Sequence, residues 1–298
     1  MSAALQAFAA AERPRIEAAL ERALAGLAPP LGAAAAYSVR AGGKRIRPLL
    51  TLACHQALGS ETDGDGAVHS VAAAVELVHT YSLLHDDLPA MDDDPLRRGL
   101  PTAHRVYGVA VAAAAGAALQ ELAFLTLARA AAGDPGLAAG LPAMLRRLAA
   151  GAGADGMVGG QYLDLEAEGR AVDGAGLEAI HRAKTAALFA TACTLGALTA
   201  GGDPDQVEAL DGYGTYLGLA FQIVDDLLDE TGDAGRMGKA VGVDRRLAKA
   251  TYPSVYGLEA ARRLAERVAG EARARLAGLD GDPSLLDLFV DLVLERLD

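Results

Sequence analysis

Tyr81–Gly99 reads YSLLHDDLPAMDDDPLRRG and places five aspartates within nine positions (Asp86, Asp87, Asp92, Asp93 and Asp94), directly ahead of Arg97 and Arg98. An apolar run precedes it, so the acids stand at the end of a buried segment. Carboxylates this close repel one another unless positive charge sits between them. Solvated Lys or Arg can supply that charge at a surface, but hard divalent cations with oxygen ligands supply it better. Pro89 disturbs any helix running through the stretch. Asp86 and Asp92 would not share a face of an unbroken helix. A bend or extra loop at Leu88–Met91 is therefore expected to bring Asp92 back toward Asp86.

A second stretch, Phe221–Asp233 (FQIVDDLLDETGD), repeats the pattern of apolar residues running into paired acids. Asp225 and Asp229 stand at i and i+4, one above the other on a helical face, with Asp226 beside them. Like charges at that spacing destabilise a helix. Either cluster alone reads as a solvated acidic helix end. Two of them, each ending an apolar helix and accompanied by bases, point to one site viewed from two sides.

Composition narrows the class. The 298 residues are rich in Ala, Leu, Gly and Arg, and 52% are hydrophobic while only 4% are aromatic. Outside the glycines this favours helix, with small side chains that let helices pack closely. Nearly every segment reads at helical period and no clear alternating strand run occurs, so an all-α fold is expected. Helices are expected at 3–27, 67–88, 107–132, 141–152, 157–168, 175–200 and 204–230, then at roughly 255–276 and 283–296. No linker or independent second domain is visible, so residues 1–298 are taken as one domain. A net charge of −12 repels nucleic acid and anionic membrane. The apolar run Thr185–Gly202 is too rich in Thr, Ala and Gly for a confident span, so no stable membrane insertion is expected. The N-terminus has no basic lead and meets Glu12 early, unlike a signal peptide, and a cytoplasmic location is expected. Cys54 and Cys193 read as small buried hydrophobes.

The remaining features fit an anionic substrate. Gly42–Pro48 (GGKRIRP) sets Lys44, Arg45 and Arg47 after two glycines. Glycine lets backbone approach a ligand, and the bases supply charge, so the loop suits a diphosphate. Gln161 and Asp164 lie three apart, Lys184 and Thr185 sit in the helix that follows, and Gly232–Lys249 reads as a flap with Lys239 and Lys249 as mobile cations. His79 lies two turns before Asp86 and by itself reads as a satisfied core histidine. Carboxylates bind Mg²⁺, which keeps waters and reaches phosphate oxygens. Two facing acidic clusters would hold ions around one diphosphate, the basic set could seat a second, and the apolar helices behind would line a tunnel. That combination describes a site for isoprenoid diphosphates.

On GGKRIRP, HDDLPAMDDD with LRRG, GGQ with LDL, Lys184–Thr185, FQIVDDLLD and Gly238–Lys239, the whole chain resembles the trans-isoprenyl diphosphate synthases, of the bacterial farnesyl diphosphate synthase (geranyltranstransferase) type. The resemblance implies an all-α isoprenoid synthase bundle of about ten or more helices around a deep central cavity, a homodimer, and Mg²⁺-dependent condensation of isopentenyl diphosphate with dimethylallyl and geranyl diphosphates. It implies three Mg²⁺ ions, two on Asp86 and Asp92 and the third on Asp225, with Asp87 and Asp229 supporting. It further implies Gly43, Lys44, Arg47, His79 and Arg98 at the isopentenyl diphosphate, and Arg97, Lys184 and Lys239 at the allylic diphosphate. Thr185 and Gln222 would stabilise the allylic cation beside Asp226. Tyr81, five before the first Asp and next to Ser82, resembles the aromatic of the fifteen-carbon makers, although filling core explains it equally well without the resemblance. A geranylgeranyl diphosphate synthase, a class I terpene cyclase and a non-catalytic prenyl synthase subunit are the competing readings. Low aromatic content and GGKRIRP argue against the cyclase. The chain departs from the family pattern at Pro95, Val109 and Ala117, where acids are usual; the last two lost acids point to altered support for the adjacent helix or flap.

Overall fold

The computed structural model describes residues 1–60, 66–232 and 249–297. In order, the elements are α1 (Ala3–Leu24), α2 (Leu31–Arg40), α3 (Ile46–Ala57), α4 (Ala67–Asp86), β1 (Leu96–Arg97), β2 (Leu100–Pro101), α5 (Ala103–Tyr107), α6 (Val109–Gly133), α7 (Pro135–Ala138), α8 (Leu141–Ala152), α9 (Met157–Ala167), α10 (Gly174–His181), α11 (Ala187–Thr199) and α12 (Pro204–Thr231). The helices Tyr252–Tyr256, Leu258–Leu276 and Ser284–Leu294 complete the described chain. The all-α expectation holds.

Helix ends follow local chemistry. Asp203 accepts from the Gln206 N–H at 2.9 Å while Gln206 Oε1 accepts from the Asp203 N–H at 3.0 Å, closing a capping box at the start of α12. Gly232, at φ 81°, ends the same helix in the left-handed conformation that glycine adopts most easily. In α11 every residue from Leu188 to Ala197 is buried, as expected of a helix apolar all round. It forms the interior with α3, α4 and α12 packed about it.

Small residues set the spacing in this interior. A Cβ on Gly214 would lie 2.6 Å from Ala190 Cα, and one on Gly218 would lie 2.7 Å from Ala186 Cα. These glycines sit one turn apart on α12, so α12 meets α11 and the residue that leads into it backbone to backbone. Arg45, the middle base of GGKRIRP, is consumed by the fold. Its guanidinium binds Glu17 at 2.8 Å, Glu76 at 2.9 Å and the Val39 carbonyl at 2.7 Å. These bonds hold Arg45 at a φ of 52° on the threshold of α3.

Several sequence expectations need correction. The helix expected at 175–200 is interrupted by a π-helical turn at Arg182–Ala186. The one expected at 255–276 is divided at Gly257, whose φ of 81° suits neither flanking helix. A minimal antiparallel ribbon pairs Leu96 with Pro101 and Arg97 with Leu100. Its strands are too short for alternation to register, and Arg98 and Gly99, both at positive φ (54° and 78°), supply its tight turn. Helix α4 also stops at Asp86, two residues before the expected end.

Gly214→Ala would force α11 and α12 apart against backbone, which has little room to yield. Overpacking of this kind costs about 1–3 kcal/mol. A lower urea midpoint with an unchanged m-value is expected, and an unchanged midpoint would show that the seam opens without strain.

Candidate active site

Beyond Asp86 the chain doubles back. Met91 and Asp93 donate their N–H groups to the Leu88 carbonyl at 2.9 and 3.1 Å, and the Asp92 N–H reaches the Asp86 carbonyl at 2.9 Å. The bend expected at Leu88–Met91 is present, and it places Asp92 beside Asp86 on the rim of a cavity of about 650 Å³. Across that cavity α12 presents Gln222, Asp225 and Asp226, and α9 presents Gln161 and Asp164. The π turn has a wider backbone, and both Lys184 and Thr185 reach the same space. Gly160 permits the approach, since a Cβ there would fall 2.1 Å from the Lys184 nitrogen.

The acids are held by bases. Lys249 Nζ lies 3.0 Å from Asp92 and 3.3 Å from Asp164. Lys184 binds Asp164 at 2.5 Å, Arg97 binds Asp87 at 2.5 Å, and Arg296 binds Asp225 at 2.5 Å. Desolvation raises the pKa of Asp86, and repulsion from Asp92 adds to it against the pull of Lys184. Burial pushes Asp87 up to about 6 despite Arg97. Burial also opposes the charge on Asp164, but Lys184 and Lys249 outweigh it and hold that carboxyl below its ordinary range.

Asp226 is occupied differently. It accepts from the Gln222 amide at 2.8 Å and from the Tyr252 N–H at 3.0 Å. Thr185 Oγ1 in turn donates to Gln222 Oε1 at 2.8 Å. Asp226 thereby fixes which end of the Gln222 amide faces Thr185. His181 stands 3.6 Å from the same carboxylate and stacks on Tyr252; burial pulls its pKa down to about 4.

On the side of α3 and α4, Arg47, His79, Arg97 and Arg98 face the cavity. Arg47 lies over the Phe189 ring at 4.6 Å, its buried Nε has no hydrogen-bond partner, and burial lowers its pKa to about 10. Burial, reinforced by Arg47, Arg98 and Arg97, draws the pKa of His79 well below its ordinary value and keeps it neutral. The Arg98 guanidinium lies on Gly43, where a Cβ would meet its Nη2 at 2.8 Å. A crowd of guanidinium groups around an unpaired buried nitrogen is suited to an anion with several oxygens.

Other sequence-selected residues lie elsewhere. Lys44 lines a separate apolar cavity of about 230 Å³ beside Phe221 and Arg296. Asp229 is buried within α12, outside the main cavity lining. Lys239 and residues 233–248 of the expected flap lie outside the described residues. Tyr81 and Ser82 do line the main cavity. Val109 and Ala117 are on the exposed side of α6, and Pro95 leads into the ribbon.

Sequence reasoning assigned no role to Asp164, Gln161, His181 or Arg296. Both polar side-chain atoms of Gln161 are buried without a partner. Gln161 and Asp164 stand three apart within the GGQ and LDL motifs, and His181 stands three before Lys184; Arg296 carried no signal. Asp86, Asp92 and Asp225 offer oxygen donors alone, and among the described residues no three acids, histidines or cysteines converge tightly enough to hold an ion unaided. This disposition suits a hard cation that retains waters and shares oxygens with a bound phosphate, as Mg²⁺ does.

Comparison with known proteins agrees with this architecture. The polyprenyl synthetase pattern matches residues 28–276. The chain is 45% identical over 272 residues to the farnesyl diphosphate synthase of Escherichia coli (strain K12), covering 87% of each. It is 42% identical over 296 residues to that of Geobacillus stearothermophilus, covering 98% of each. A crystal structure of geranyltransferase from Helicobacter pylori, complexed with magnesium and isoprenyl diphosphate, superposes with a TM-score of 0.83 at 32% identity, covering 100% of this chain and 98% of that one. The chain belongs to the polyprenyl synthetase family.

Proposed function

We propose that this prenyltransferase joins isopentenyl diphosphate head to tail (1′-4) to dimethylallyl and then geranyl diphosphate, releasing diphosphate and forming farnesyl diphosphate. One observation carries the reading: a single cavity brings together acids of both clusters, the guanidinium groups of Arg47, Arg97 and Arg98, and Tyr81 in its wall. Similarity to farnesyl diphosphate synthases over most of the chain supports it.

Asp86 and Asp92 would hold two Mg²⁺ ions and Asp225 a third, with Asp87 and Asp229 supporting. Bound there, the ions would neutralise the departing diphosphate and favour breaking its C–O bond. Lys184, Arg97 and Lys239 hold the allylic diphosphate, which takes the bonding electron pair with it. Thr185 and Gln222 direct oxygen lone pairs toward the allylic cation, in an orientation maintained by Asp226. Gly43, Arg47, His79 and Arg98 seat isopentenyl diphosphate, and Lys44, whose side chain lines the second cavity, would have to turn toward them to join that seat. The isopentenyl double bond supplies the electrons of the new C–C bond, and loss of a proton to the departing diphosphate restores a double bond.

The outward face of α6 suits a homodimer seam. Val109 and Leu125 are 49% and 40% exposed, and Ala110, Ala114 and Ala117 accompany them. α4 and α6 are long and apolar enough to cross a membrane, but α4 carries Glu76 paired with Arg45 in the packed interior. Two free, buried cysteines suit the reducing cytoplasm.

Purified protein incubated with isopentenyl and dimethylallyl diphosphates is expected to form a fifteen-carbon prenyl diphosphate. Chelation of Mg²⁺ should abolish the reaction. Failure to condense any allylic primer would overturn the reading in favour of a non-catalytic subunit. Tyr81→Ala is expected to move product to twenty carbons or more, because the growing tail runs from Asp86 back along α4. An unchanged chain-length profile would remove Tyr81 from the tunnel floor.

A further inference from the structure

Tyr81 is braced. Its ring meets His85 edge to face, with centroids 4.8 Å apart and planes at 76°. The two residues stand one turn apart on the same face of α4. Both line the cavity. His85 is itself anchored on α6, where its Nε2 lies 2.9 Å from the Ala113 carbonyl oxygen. A carbonyl only accepts, so Nε2 carries the proton, and this bond sets both tautomer and tilt.

The seat for that imidazole is bare backbone. A Cβ on Gly116 would fall 2.4 Å from both Cδ2 and Nε2 of His85. Gly116 has an ordinary helical conformation within α6, so its missing side chain serves close approach rather than a turn. The ring of His85 thus occupies space that any other residue at 116 would take.

We propose that His85, seated on Gly116, is a positioning residue that sets product chain length by holding the Tyr81 ring in place. The proposal rests on Tyr81 being the tunnel floor. An edge-to-face aromatic contact of this kind corresponds to a bias of roughly 2- to 10-fold in the position of a ring. With His85 gone, the phenol is free to leave the path of the tail. His85 acts through Tyr81, so its removal changes product length even where the rate also falls.

The experiment compares wild type, Tyr81→Ala, His85→Ala, Gly116→Ala and the double variant Tyr81→Ala/His85→Ala at fixed substrate ratio. The readout is the ratio of products of twenty or more carbons to the fifteen-carbon product, which does not depend on total activity. His85→Ala is expected to raise that ratio about 2- to 10-fold. Gly116→Ala, which drives the imidazole from its seat through a change on a different helix, is expected to displace the ratio by at least about 2-fold. The double variant should match Tyr81→Ala alone. Wild-type ratios in both His85→Ala and Gly116→Ala, beside a lengthened Tyr81→Ala profile, would overturn the brace and leave the floor standing. Additive shifts in the double variant would also overturn it, since His85 would then act independently of Tyr81. No lengthening in Tyr81→Ala would overturn the floor, and the brace with it.

Discussion

Repulsion among carboxylates gathered around one cavity is the constraint to which the rest of the structure answers. Two unit charges about 4 Å apart near a protein surface interact by about 4 kcal/mol. The chain offsets this with bases drawn from distant segments. Lys249 reaches Asp92 and Asp164, Lys184 reaches Asp164, Arg97 reaches Asp87, and Arg296 reaches Asp225. Desolvation still raises the pKa of Asp86 and Asp87. The acids are thus prepared to receive further positive charge, and that readiness connects the fold to its proposed chemistry.

Holding the charges in place requires a stiff frame, which is built from small residues. Gly214 and Gly218 bring α12 onto α11, and Gly160 brings α9 onto the π turn that presents Lys184 and Thr185. A helix pair separated by larger side chains would leave Gln222 too far from Thr185 for their hydrogen bond. The same economy of volume recurs where Gly116 lets His85 rest on α6. Composition rich in Ala and Gly is in this sense part of the site.

Much of this was legible in the residues. The all-α fold follows from helical periodicity, and Pro89 with the six-residue spacing of Asp86 and Asp92 called for the bend now seen. Other features had no local signal. The π turn needs one extra residue within a run that otherwise reads as continuous helix. The ribbon at Leu96–Pro101 is two residues per strand and cannot show alternation. Arg45 looks like its neighbours in GGKRIRP, yet its partners Glu17 and Glu76 lie 28 and 31 positions away.

The amino-acid sequence alone determined the two aspartate clusters, the basic loop, the aromatic five residues before Asp86, and with them the family. Those are properties of neighbouring residues, and spacing along a helix translates them directly into faces. Tertiary structure alone decided which base serves which acid. It brought the Tyr252 N–H to Asp226, put Lys44 in a second cavity, and set His85 against the bare backbone at Gly116. Such pairings depend on distances between segments far apart in the chain, and those distances exist only once the helices have packed.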